Sequence, residues 1–185
     1  MKKLICLVLA ALLCVGAVAM AETSVPSKTT GDMAKTTGVT TESGAASNVA
    51  IALGAGSAEA EQAAENEVAK LAASKSADDY FGVSVSSLLG TENVNVHEFM
   101  AFSVDNYDEA DGAVTANFCF NTPYKPNERV IVMVGVRNAK GEIEWIPVEG
   151  VGTGVNGEIA VTFPAEVLAA IQASGVEPMM AVVSA

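Results

Sequence analysis

The strongest constraint on the fold is a period of two that the apolar residues adopt after Gly90. Six short segments rich in β-branched or aromatic residues follow, each bounded by turn residues, and this pattern predicts strands. The segments are Val94–Val104, Ala113–Phe120, Arg129–Arg137, Ile143–Val148, Glu158–Phe163 and Met179–Ser184. The turn sequences Asn138 to Gly141 and Asn156-Gly157 are typical of hairpins, so we expect antiparallel neighbours.

Two of these segments indicate different environments. Residues 130–134 are apolar on both faces, which predicts a central strand covered on both sides. In Ala113–Phe120, by contrast, apolar and polar residues alternate, and this predicts a strand with one inward face. Cys119 falls on the more polar face of that strand.

Three segments have helical signals. Pro164 at a first turn and Gly175 after the end predict a helix over residues 164–172. The residues between Ser76 and Gly90 favour a short amphipathic helix, although Gly82 favours extended structure. Residues 57–76 are rich in Ala and Glu and begin at a capping serine, which predicts a helical spacer. Its narrow apolar face leaves three alternatives open: it stands alone, pairs with a partner, or docks loosely.

The amino terminus has the features of a signal peptide. Lys2 and Lys3 precede an apolar run, and Ala19-Met20-Ala21 supplies the small-x-small pattern that signal peptidase accepts. We therefore predict cleavage after residue 21 and a secreted protein, extracellular or periplasmic. An uncleaved anchor is the alternative, because the apolar run is long enough to just span a bilayer. After cleavage no membrane insertion is expected.

Residues 22–56 consist mostly of Thr, Ser, Ala and Gly, and we interpret them as a flexible low-complexity linker. The predicted organisation is a signal peptide (1–21), this linker (22–56), an Ala/Glu-rich helix (57–76) and a β-sandwich domain (77–185). The fold class is mainly β. Over residues 91–185 it resembles the immunoglobulin-like β-sandwich of bacterial surface and secreted proteins, without the Cys, Trp, Cys spacing of true immunoglobulin domains. The resemblance implies adhesion, carbohydrate binding, chaperoning and enzyme accessory roles alike.

The charge disfavours one class of partner. The chain has 22 acidic and 10 basic residues, a net charge of -12. Neutralising phosphates requires clustered Lys and Arg, so we expect no nucleic-acid partner.

The sharpest catalytic hypothesis uses Cys119 and His97. His97 is the only histidine, and Cys119 is the only cysteine that remains after signal cleavage. A thiol and an imidazole in hydrogen-bond reach form an activated nucleophile, but neither residue lies in a glycine-rich motif that suits an oxyanion hole. A buried, inert cysteine is the alternative.

The acidic segment between the first two predicted strands is a candidate calcium site. Calcium prefers carboxylate and amide oxygens. The residues that would supply them are Asp105, Asn106, Asp108, Glu109 and Asp111. The alternative is a solvated hairpin connection in which Asp, Asn and Gly satisfy turn geometry. No other cofactor is expected.

Aromatic rings near loops are candidate ligand-binding residues. Tyr107 and Tyr124 lie in predicted loops, where flat rings stack on sugars or anchor an interface. Trp145 is favoured as a core residue of the sheet.

The leading hypothesis is a secreted or cell-surface, non-enzymatic interaction module that binds a cell-wall polymer, a carbohydrate or an extracellular protein. The alternatives are a secreted hydrolase or thiol enzyme using Cys119 and His97, and a structural component of the envelope.

Overall fold

The computed structural model describes residues 34–42, 48–54 and 57–185, so the predicted signal peptide lies outside the described residues. The strands are β1 (Lys35–Thr41), β2 (Ala50–Leu53), β3 (Asn95–Asp105), β4 (Val114–Cys119), β5 (Arg129–Arg137), β6 (Ile143–Gly152), β7 (Glu158–Phe163) and β8 (Met179–Ser184). The helices are α1 (Ala58–Ala73), α2 (Ala77–Phe81), α3 (Val85–Leu89) and α4 (Ala165–Ser174), and a 3₁₀ turn spans Glu109–Asp111.

The strands form one antiparallel sheet in the order β1-β4-β7-β6-β5-β8-β3-β2. Its two edge strands, β1 and β2, lie beside each other, so the sheet rolls up and nearly closes on itself. The predicted mainly β, antiparallel class is confirmed. The immunoglobulin-like sandwich is not confirmed, because the strands belong to a single rolled sheet.

All six predicted strands are present, and five of them have ends within one residue of those predicted. The exception is β6, which continues to Gly152. Its last residues still alternate between exposed and buried and pair with both β5 and β7. In the sequence, Gly150 and Gly152 interrupt the alternation of apolar and polar residues that predicts a strand. Their small size allows neighbouring chain segments to pack closely against β6.

The segment interpreted as a flexible linker contributes two strands, which corrects that interpretation for part of its length. β1 pairs with β4, and β2 pairs with β3. Val49, Ile51 and Leu53 are buried in the sheet interior, where a period of two matches the pleat. Threonine, which suggested low complexity, is also a favourable strand residue because its side chain is β-branched.

The inner core fills the rolled sheet. β5 contributes alternate valines from Val130 to Val136, and β4 contributes Val114, Ala116 and Phe118. Phe163 stacks on Phe102 with ring centroids 6.2 Å apart. Helix α4 adds Val167, Leu168 and Ile171 to the same core.

A second core lies on the outer face of β3, β5 and β8 beneath the first three helices. Ile131 and Met133 face this side of β5, which confirms that the strand is covered twice. Leu71 of α1 is buried here, as are Phe81 of α2 and Val85 of α3. The predicted spacer helix therefore packs on the sheet.

The residues after Ser76 form two short helices instead of one. Gly82 ends α2 in the left-handed conformation, with a φ of 64° that disfavours side chains. Helix α2 therefore ends at Phe81, and α3 begins at Val85 after a short connection. No helix in the part of the chain described above is both long and apolar enough to cross a membrane.

Replacing Leu71 by Ala should destabilise the protein by about 2–5 kcal/mol, because the side chain is only 1% exposed and its removal leaves a cavity. Urea unfolding measures the change. The matched control is Gln62→Ala on the exposed side of the same helix, for which we expect less than about 0.5 kcal/mol. Equal small effects for both variants would show that α1 is not part of the core.

Candidate functional site

His97 and Cys119 do not form the predicted dyad in this structure. His97 lies at an irregularity in β3, and its Nε2 atom is 2.8 Å from the Ser184 hydroxyl on β8. Cys119 lies on β4, where its sulfur is 3.8 Å from the Asn156 carbonyl oxygen. In the sheet order, β3 and β4 are not neighbours.

His97 is hydrogen-bonded to Ser184 of the neighbouring strand, not to Cys119. Ser184 is only 2% exposed, so a substrate has no direct access to its hydroxyl. The imidazole packs edge-on against the Tyr124 ring. Burial lowers the pKa of His97, while the negative charges of Glu98 and Glu128 oppose this effect. Partial burial therefore favours the neutral form of the imidazole.

The acidic segment folds into a capped turn. The Asp108 carboxylate accepts a hydrogen bond from the Ala110 amide, and the Asp111 carboxylate accepts one from the Asp108 amide. These two bonds form a capping box around the 3₁₀ turn. Asp105 accepts a bond from Ser103 instead. Over the described ranges, no three His, Cys, Asp or Glu side chains come together as metal ligands. The predicted cluster of Asp105, Asn106, Asp108, Glu109 and Asp111 is thus not assembled as a cage.

Tyr107 and Tyr124, the candidate ligand-binding residues, are buried, which leaves their rings little surface for stacking on a ligand. They are 6% and 4% exposed and belong to the inner core. The Tyr107 hydroxyl donates to the Gly112 carbonyl, and Gln172 of α4 donates to the Tyr107 carbonyl. The loop before β5, which contains Pro123 and Pro126, turns Tyr124 inward, where burial and the charge of Glu98 raise the pKa of its phenol.

A large groove on the outer side of the sheet is the best candidate site. We call it the helix–hairpin groove, because it lies between helices α1 and α2 and the β5–β6 hairpin. Its volume is about 720 Å³. Its lining residues are Glu67, Lys70, Ser74, Asp79, Tyr80, Phe81, Gly82, Arg137, Gly141, Glu142, Ile143 and Trp145.

One wall of the groove is a hydrogen-bonded network centred on Glu67. Lys70 Nζ lies 2.6 Å from one carboxylate oxygen of Glu67, and the Tyr80 hydroxyl donates to the other at 2.9 Å. Glu67 is buried, so both bonds compensate for its desolvation. Burial, followed by the bond to Glu67, raises the pKa of Tyr80. The phenol therefore remains a neutral donor.

Short-range contacts hold Tyr80 and Asp79 in place. Asp78, their neighbour in α2, accepts hydrogen bonds from the Ser86 amide at 3.0 Å and the Ser86 hydroxyl at 2.5 Å. Ser84 also donates to it. Although burial raises the pKa of Asp78, these bonds outweigh burial and lower it. The carboxylate thus locks α3 against α2 and orients the groove wall.

The opposite wall is the β5–β6 turn. The Asn138 side chain accepts bonds from the Lys140 and Glu142 amides, and Gly141 adopts a φ of 81°. Arg137 donates to the Gly141 carbonyl at 3.0 Å. The turn that the sequence predicted therefore also orients the arginine at its base.

The floor consists of packed aromatic rings. Trp145 makes edge-to-face contacts with Phe81 at 5.1 Å and with Phe99 at 5.6 Å between centroids. Tyr80 lies 5.8 Å from the same indole. Trp145 is buried, as predicted for a core residue. The floor is therefore rigid, because each ring is fixed by others.

Arg137 lines two further depressions. One, of about 330 Å³, lies between the β5–β6 turn and the end of α4, and includes Glu144 and Ala170. The other, of about 130 Å³, lies beside the start of α1 and includes Glu59 and Glu177. Arg137 is thus common to three adjoining depressions on this side of the protein.

The sequence did not single out this site, because its residues come from three separate segments. Glu67 and Lys70 belong to the predicted spacer, and Tyr80 to an ambiguous helix. Only one signal was available. Arg137 follows the apolar run of residues 130–136 and directly precedes a strong turn sequence.

Stability should fall as the pH decreases from about 7 to 5, because burial lowers the pKa of His97 in the folded state. The unfolded state binds a proton near its ordinary pKa of about 6.5, whereas the folded state resists protonation. In urea titrations at several pH values, His97→Gln should be less sensitive than the wild type in this window. Identical pH profiles would contradict the lowered pKa of His97 in the folded state.

Calcium should not stabilise the protein, because the carboxylates of Asp108 and Asp111 already cap backbone amides. We expect the same melting temperature in millimolar calcium and in excess chelator. Asp105→Asn is the matched control and should leave this result unchanged. A rise of several degrees with calcium that Asp105→Asn abolishes would restore the calcium hypothesis.

No protein-family model matches the chain, and no curated protein and no solved structure matches it significantly.

Proposed function

We propose that this protein is a non-enzymatic interaction module that works outside the cell membrane and binds a polymer or a protein. The observation that carries the proposal is the helix–hairpin groove, where charged and aromatic side chains from two helices and a hairpin converge. Sites for ligands are typically concave, preformed and lined by a few oriented polar groups. The signal peptide predicted for residues 1–21 supports the location.

The contacts of His97 and Cys119 favour binding over catalysis. A nucleophile needs a base within hydrogen-bond reach, and the partner of His97 is the buried Ser184. Cys119 is half-buried on the polar outer face of β4. Neither residue lines the groove. Variants of His97 and Cys119 therefore test the enzyme alternative without changing a residue that lines the groove.

Co-sedimentation with insoluble cell-wall and polysaccharide preparations tests the proposal. We expect the protein to sediment saturably with at least one preparation and to release no soluble fragments from it. The control is the double variant His97→Gln and Cys119→Ser, which should sediment equally well. A protein partner is tested by retention of a defined extracellular protein fraction on the immobilised protein.

Two outcomes would contradict the proposal. Soluble fragments that disappear with the double variant would support the hydrolase or thiol enzyme. No saturable binding to any polymer or protein fraction would remove the interaction module and leave the structural envelope role.

A further inference from the structure

We propose that the helix–hairpin groove binds a basic segment of a protein partner, and that a lysine of this segment replaces Lys70 on the Glu67 carboxylate. This inference rests on the proposed function and assigns a class of partner to the groove. Three observations carry it: an ammonium group already occupies the groove, the carboxylate that holds it lies below the surface, and acidic side chains outnumber basic ones around it.

The contact between Lys70 and Glu67 shows that the groove accepts an ammonium group. Lys70 Nζ lies 2.6 Å from one Glu67 carboxylate oxygen, and the Tyr80 hydroxyl donates to the other. The Lys70 side chain is 67% exposed, and it lies three positions from Glu67 on α1. Such pairs are weak, because water solvates and screens an exposed ammonium group. A ligand ammonium can therefore take the place of Lys70 and leave the buried carboxylate compensated.

The depth of Glu67 selects the shape of the ligand. Its side chain is only 9% exposed, so a cation reaches the carboxylate only at the end of a slender stem. The four methylene groups of a lysine form such a stem, with the charge at its end. An amino group attached directly to a sugar ring is too crowded to follow the same path. Tyr80 is half-buried beside Glu67, and a tyrosine ring attracts a cation.

Acidic side chains dominate the surface around this contact. The helix–hairpin groove and the two depressions that adjoin it at Arg137 are lined by six acidic and two basic side chains. The acidic ones are Glu59, Glu67, Asp79, Glu142, Glu144 and Glu177, and the basic ones are Lys70 and Arg137. The net charge of -12 adds an attraction for cations at longer range. The surface therefore favours a cationic partner over a neutral or anionic one.

The size of the groove favours a peptide over a free polyamine. Its volume of about 720 Å³ lies within the range of about 300–1,000 Å³ that is typical for ligand pockets. A polyamine has a slender stem but little bulk, so it leaves most of this volume unfilled. In a peptide, the backbone and neighbouring side chains occupy the rest. Further basic residues of the segment would face Glu59 and Glu177 at the start of α1, or Glu144 beside α4.

Calorimetric titration of the full protein with hexalysine tests the displacement of Lys70. We expect Lys70→Ala to strengthen binding about two- to tenfold, because the variant lacks the ammonium group that competes with the ligand. Arg129→Ala is the matched control, since it removes one positive charge where the arginine pairs with Glu149 outside the groove. It should change the affinity less than about twofold.

Two variants of carboxylates test the acidic wall in the opposite direction. Glu67→Gln should weaken hexalysine binding about tenfold or more, because a bond between two charged groups is lost. Asp79→Asn should weaken it severalfold, and this residue is exposed, so the variant folds even if Glu67→Gln does not. Glu65→Gln, on the exposed side of α1, removes the same charge outside the groove and should have less than about a twofold effect.

A series of cations tests the stem and the class of partner. The hexamer of 2,4-diaminobutyrate, whose side chains are two methylene groups shorter, should bind at least about fivefold more weakly than hexalysine, because its ammonium groups do not reach Glu67. Equal affinity would overturn the role of depth. Spermine that binds as tightly as hexalysine would replace the protein partner by a polyamine. A glucosamine hexamer that binds more tightly would replace it by an aminated polymer.

The failure of this inference is distinguishable from the failure of the proposed function. Hexalysine binding that Lys70→Ala leaves unchanged or weakens would overturn the displacement. Absence of hexalysine binding at about 50 mM salt, where attraction between charges is strong, would overturn the basic partner. In both cases co-sedimentation and retention of the extracellular protein fraction would still decide whether the protein is an interaction module.

Discussion

The rest of the structure depends on the need to cover β5 and β8 on both faces. In β5 the even-numbered residues from Val130 to Val136 are buried inside the rolled sheet, and Ile131 and Met133 are buried on its outer side. β8 repeats the arrangement and pairs with β5. Apolar surface of this extent is stable only when removed from water, which requires a second layer. Helices α1, α2 and α3 provide that layer.

Helices α1, α2 and α3 cover the outer side of β3, β5 and β8 but not the outer side of β4 and β7. On β4 and β7 the outward residues are polar or small, and Thr115 and Thr162 hydrogen-bond to each other across the strands. A half-covered sheet has a border where the helices meet the β5–β6 hairpin. The helix–hairpin groove lies at this border, so the same burial requirement that places the helices also creates the candidate site.

Buried and partly buried polar groups hydrogen-bond where they orient neighbouring elements. Glu67 connects α1 to α2 through Tyr80, and Asp78 connects α2 to α3 through Ser86. Glu98, on β3, accepts a bond from Thr122 in the loop before β5. Each bond offsets the cost of desolvation only when the elements are correctly placed. They therefore favour one arrangement of the layers over others of similar apolar burial.

Local sequence patterns were sufficient to predict the six strands after Gly90, the helix after Pro164, the helix after Ser57 and the two covered faces of β5. These features follow from local periodicity and from turn and capping residues, which act over a few positions. Tertiary structure alone decided that β1 and β2 join the sheet, because their weak local signals gain strength only from pairing with β4 and β3. It also turned Tyr107 and Tyr124 inward and separated His97 from Cys119. The convergence of Glu67, Tyr80 and Arg137 depends on contacts between distant segments, and no local pattern records such contacts.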